Sequence, residues 1–203
     1  MTKTTTRRRG RPSLTEADIA AHKARIAAIA ERLFREEGYQ GISMRRLASE
    51  AECAPMTLYA YFGSKAAILQ TIWLAFFDEL FADLEVRAAA VADPKDRLRT
   101  VSRAYAAYWI THPERYRMVF MTEGLKPEEV GAFVRDSGAV KRFDIFFETL
   151  AAAGPSFSEG EVKTRGELIV SALQGISYNH ITTSAYPWEA PDTLVDALID
   201  CLI

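Results

Sequence analysis

Apolar positions in this chain recur every three or four residues, the spacing that places them on one face of an α-helix. Thr15-Glu16-Ala17-Asp18 supplies a capping residue with an acid three positions later. Ile26, Ala30, Leu33 and Phe34 follow, which predicts a first helix ending near Gly38. Ser43 opens a short second helix with Leu47, Ala48 and Ala51 inward. After a break at Glu52-Cys53-Ala54, Pro55 begins a third that carries Leu58 and Phe62 inward. Two short helices separated by about three residues make a candidate helix-turn-helix.

Ser64 caps a fourth helix. Its stripe of Ile68, Ile72, Trp73, Phe76, Phe77, Leu80, Phe81 and Leu84 is wide enough to require burial along its length. Beyond Asp93-Pro94, the positions Leu98, Val101, Tyr105, Tyr108 and Trp109 mark a fifth helix stopped at His112-Pro113, and Tyr116 to Met121 forms a short sixth. Residues 128–153 read as one helix despite Gly131 and Gly138, ended by Gly154-Pro155-Ser156. Helices over 161–184 and 192–203 complete the chain. No segment alternates with period two, so the expected fold is all-α with about nine helices.

A length of 203 residues suits one domain with a substantial core, or a small module attached to a larger one. Hydrophobic residues at 49% and charged residues at 26% match globular proteins and exclude a disordered or fibrous chain. No stretch approaches the roughly 20 apolar residues of a membrane span, and the basic start lacks the apolar region of a signal peptide. A cytoplasmic protein without membrane partners is expected. Cys53 and Cys201 lie far apart, with no histidine at ligand spacing, and read as small buried hydrophobes; no metal is expected. The three histidines, His22, His112 and His180, accompany no nucleophile, phosphate-loop, zinc-protease or dinucleotide motif, so neither catalysis nor a cofactor is implied.

The formal net charge of −2 conceals a division. Residues 1–65 hold 12 Lys and Arg against 7 Asp and Glu, whereas residues 66–203 hold 13 against 20. A basic first part suits a polyanion, and the acidic remainder suits another task. The expected organisation is a flexible basic arm over 1–14, a helix-turn-helix domain over 15–65 and a second domain over 66–203. In the arm, Arg9 and Arg11 flank Gly10 before Pro12, a pattern that suits insertion into a minor groove; a solvated tail is the bland alternative.

Ser43-Met44-Arg45-Arg46-Leu47-Ala48, followed by Pro55-Met56-Thr57-Leu58-Tyr59-Ala60-Tyr61-Phe62-Gly63-Ser64-Lys65, resembles the DNA-binding domain of the TetR family of transcriptional regulators. The resemblance covers residues 20–69. It implies a homodimer on double-stranded operator DNA, repression as the family's usual output, and Ser43, Arg45, Tyr61 and Lys65 as contacts to the DNA backbone. The residues agree on their own terms. A recognition helix buries one face and offers the other to the major groove, and Pro55 to Phe62 divides that way. Pro55, Met56, Thr57, Tyr59 and Tyr61 stand on the offered side. Thr57 and Tyr59 are the expected base readers: the threonine has a hydroxyl for a base edge and a methyl for thymine, the tyrosine an apolar ring and a hydroxyl. Lys65 follows the Ser64 cap, so its charge and the helix N-terminus would favour one phosphate.

Three positions depart from the family pattern. Glu52 stands where glycine is usual in the turn, Ala54 where a hydroxyl residue would cap the recognition helix, and Arg46 where an acid is common. A left-handed Glu52 would cost about 1–2 kcal/mol relative to glycine, and Ala54 forgoes a cap of about 1 kcal/mol.

The larger part resembles the family's regulatory half only loosely. Seventeen of the 22 aromatic residues lie beyond residue 65. That density suggests an apolar pocket for a small apolar or aromatic effector, formed from Trp73, Phe77, Tyr105, Tyr108, Trp109, Phe120, Phe147 and Tyr178, with His180 as its polar member. Core packing is the competing reading for each of these, and a satisfied structural role the competing one for His180. The last two helices resemble the family's dimerisation pair. Ser171, Ala172, Gly175 and Ser177 are small enough for close helix approach, and the run 197–203 is too apolar to be left in water.

Overall fold

The computed structural model describes residues 15–203. Ten α-helices and one short 3-10 turn fill it, with no strand among the described residues. The first helix, α1 (Glu16–Gly41), starts from a reciprocal cap: Thr15 Oγ1 accepts from the Asp18 amide, and the Asp18 carboxylate accepts from the Thr15 amide at 2.9 Å. It kinks at Gly38, whose φ of 75° lies in the left-handed region where glycine pays no Cβ penalty. Next come α2 (Met44–Glu50), α3 (Pro55–Phe62) and α4 (Lys65–Ala89). Ser43 and Ser64 cap α2 and α4 through their hydroxyls, as the sequence suggests. Ten side chains of α4 are buried, from Ala66 to Leu84, so this helix is core along nearly its whole length.

The second part comprises α5 (Pro94–Thr111), α6 (Pro113–Phe120), α7 (Pro127–Asp136), α8 (Asp144–Ala153), α9 (Glu159–Thr182) and α10 (Pro191–Leu202). Its centre is α5, which packs against α4, α8, α9 and α10 and buries Leu98, Val101, Tyr105 and Trp109 completely. Arg103 reaches Asp196 and Arg99 reaches Asp200, tying α10 to the outer side of α5. The expected single helix over 128–153 is corrected. The chain turns at Ser137-Gly138, where Gly138 has φ 71°, and resumes through a 3-10 turn at Val140–Phe143. That turn folds α7 back beside α4 and sets the position of a cavity. The cysteines also differ from expectation: Cys53 is half-buried and Cys201 is exposed on α10.

Candidate nucleic-acid interface and apolar cavity

Leu47, Ala48, Ala51 and Leu58 pack with Ile26, Ala30 and Leu33 of α1 into one cluster, which fixes α2 and α3 against the first helix. The turn between them is held by backbone bonds, Glu52 amide to Ser49 carbonyl and Cys53 amide to Ala48 carbonyl. Arg25 donates to the Ala51 carbonyl at 2.7 Å and so ties α1 to the end of α2; no sequence signal marked that residue. Glu52 is left-handed with φ 52°, alone in this among the described non-glycine residues. Ala54 offers no side-chain cap to α3, as read, and Pro55 occupies the first helical position.

With Leu58 fully buried, the opposite side of α3 faces out. Met56 is 77% and Tyr59 49% exposed, Pro55 is exposed, and Thr57 is half-buried beside them. Tyr61 is half-buried, its hydroxyl 3.5 Å from His22 Nδ1. Phe62 is half-buried rather than sealed, with the Lys23 ammonium 5.9 Å from its ring centre. Ser43 uses its hydroxyl to accept from the Arg46 amide at 3.1 Å. Arg45 is exposed. Arg46, by contrast, sits among acids: it pairs with Glu50 at 2.8 Å and Glu37 at 3.7 Å, while Arg32 pairs with Glu36 and Glu50. An arginine at this position is thus accommodated by its acidic neighbours. Arg9 and Arg11 lie outside the described residues.

Lys65 is placed differently from its sequence reading. Its ammonium turns back to donate to the carbonyls of Tyr39 at 2.7 Å and Ile42 at 2.8 Å, over the Tyr39 ring at 4.1 Å. It therefore closes the C-terminal end of α1. Burial pulls its pKa below the usual lysine value, opposed by the charge of Glu129. One N–H at most remains for a phosphate.

Behind this module, α4, α6, α7 and the 3-10 turn line a cavity of about 350 Å³ that opens to solvent on one side. Trp73 and Phe77 line it from α4, Phe120 from α6, Phe133 from α7 and Phe143 from the 3-10 turn. The Trp73 and Phe133 rings meet edge to face at 5.2 Å, and Phe77 meets Phe143 at 6.1 Å. Trp73, Phe77 and Phe120 were expected here. Phe133 and Phe143 were not, because reading 128–153 as a straight helix hides the turn that brings them together.

The other expected lining residues lie elsewhere. Tyr105 and Trp109 are fully buried behind the cavity, on the central helix. Tyr108 donates to the Phe76 carbonyl and accepts from Arg115. Phe147 lies against Gly166, between α8 and α9, where a Cβ on that glycine would overlap its ring. Tyr178 is 46% exposed. His180 lies between two backbone carbonyls, with Nδ1 2.8 Å from that of Ile176 and Nε2 3.2 Å from that of Glu189, and its one N–H in the neutral ring can donate to either. Helix periodicity marks these positions as apolar or half-apolar, but it does not say which neighbour each one faces.

Among the described residues, no group of three or more His, Cys, Asp or Glu is arranged to hold a metal, and no helix is long and apolar enough to cross a membrane. The fold defines a helix-turn-helix module mounted on a larger all-helical domain. Residues 26–72 match the family described as bacterial regulatory proteins, tetR family. Over 111 residues the chain is 32% identical to the HTH-type transcriptional repressor SCO4008 of Streptomyces coelicolor, covering 54% of this chain and 53% of that protein. Over 113 residues it is 22% identical to the HTH-type transcriptional activator FasR of Mycolicibacterium smegmatis, covering 56% and 52%. The match thus spans about half the length of these curated relatives. The solved structure of the TetR family transcriptional regulator PfmR from Thermus thermophilus is 26% identical, covers 94% of this chain and 96% of that one, and superposes with a TM-score of 0.59. The module over residues 26–72 is thus similar to that of the tetR family of bacterial regulatory proteins.

Proposed function

We propose that this protein is a sequence-specific DNA-binding transcriptional regulator that acts as a homodimer on a palindromic operator. The observation that carries the reading is the division of α3, where Leu58 is sealed in the core while Met56 and Tyr59 stand out in solvent. Thr57 and Tyr59 read bases; Ser43, Arg45 and Tyr61 hold the DNA backbone; Arg9 and Arg11 of the arm add minor-groove contacts. Lys65 serves the interface chiefly by fixing α1 behind it. The dimer forms through α9 and α10. Along α9, Leu168, Ser171, Gly175 and Tyr178 form an exposed stripe, with Leu168 49% exposed, and Ala197 and Cys201 of α10 are exposed as well. Ser177 lies outside that stripe, since it faces the core.

The cavity takes a small apolar or aromatic effector, and repression is relieved when the effector binds. A route exists in α4, which starts three residues after α3 ends and carries Trp73 and Phe77 to the cavity wall. The effector moves the equilibrium only by its preference for one arrangement of that helix. Selecting sites from random duplexes with the purified protein tests the regulator itself: an enriched palindrome supports it, and uniform recovery of all sequences overturns it.

A further inference from the structure

Resting on the reading of this cavity as the effector site, we infer that its ligand is an uncharged hydrocarbon-like molecule and that carboxylate or phosphate ligands are rejected. The lining holds no charged side chain. Its two polar members are already committed within the chain: Trp73 Nε1 donates to the Met118 carbonyl at 2.8 Å, and the Thr122 hydroxyl donates to the same oxygen at 2.6 Å. No side-chain donor of the lining is left to meet an anion. The mouth is apolar as well, since Phe120, Val130, Val134 and Val140 are all substantially exposed around it. The polar atoms left unpartnered in this domain, Ser102 Oγ, Trp109 Nε1 and Gln174 Oε1, belong to side chains outside the lining. An anion entering here loses hydration and gains no donor or cation from the lining side chains, whereas an aromatic hydrocarbon replaces water against five aromatic side chains.

Calorimetric titration of the full chain with naphthalene and with 2-naphthoate at neutral pH separates the possibilities. Naphthalene should bind, and 2-naphthoate should bind at least about tenfold more weakly, because its ionised group finds no partner. Val134→Trp, at the exposed rim, should remove naphthalene binding with helix content unchanged, and Ala139→Phe should do so from the inner wall. Naphthoate binding equal to or tighter than naphthalene overturns the inference and leaves the cavity an effector site. Failure of both probes, or naphthalene binding that survives both substitutions, overturns the cavity reading itself.

Discussion

The ammonium of Lys65 sits 2.7 Å from the Tyr39 carbonyl oxygen and 4.1 Å from the centre of the same residue's ring. One side chain thereby links the first residue of α4 to the end of α1, next to the Ile42 carbonyl that precedes the α2 cap. A lysine at this place acts first on the shape of the helix-turn-helix module.

Lys65→Met should therefore lower the stability of the DNA-free protein by roughly 1–2 kcal/mol, since two charge-assisted bonds to backbone oxygens are lost at a half-buried site. Urea unfolding of the free protein measures this. Unchanged stability with weaker DNA binding would return Lys65 to a purely phosphate-binding role.

Glu52→Gly should raise stability by about 1 kcal/mol, because the residue occupies a left-handed conformation that costs any side chain with a Cβ. Glu52→Ala should give no comparable gain, as it keeps the Cβ. Equal gains from both, measured by thermal unfolding, would show that the charge and not the backbone is responsible.

Arg45→Ala and Thr57→Ala should differ in kind. The first should weaken binding alike on all sequences and reduce the salt slope by about one. The second should alter base preference by about 1–3 kcal/mol at one position of each half-site. Competition binding on single-base operator variants, repeated at two salt concentrations, resolves the two. An unaltered preference in Thr57→Ala would pass the reading role to Tyr59 or Met56.

Leu168→Arg places a charge at an exposed position on the stripe assigned to the dimer. The monomer fold should be unaffected within about 0.5 kcal/mol, as for surface substitutions generally, while sedimentation should show a monomer that no longer holds operator DNA. A variant that remains dimeric would place the interface on another face.

The helix-turn-helix module was largely legible in the sequence because its signals are local. Thr15, Ser43, Ser64 and Pro55 each mark a helix start, and the alternation of Leu58 with Met56 and Tyr59 orients α3 within eight residues. Lys65 was harder, since its partners lie 23 and 26 residues earlier and no periodicity connects them. The cavity depends on contacts more distant still. Trp73 and Phe77 stand on a stripe visible in the sequence, but Phe133 and Phe143 join them only through the turn at Gly138. Tyr178 shows the same limit from the other side: its aromatic character suggested the cavity, while its turn of α9 points it into solvent on the proposed dimer face.

The most direct test of the central proposal, that exposed α3 helices of a homodimer read DNA, is hydroxyl-radical footprinting on the selected operator with the protein-to-DNA ratio determined alongside. Two protected half-sites should appear with centres about 34–36 Å apart or a small multiple of that, occupied by protein in even number. A single asymmetric footprint bound by one chain would contradict the proposal.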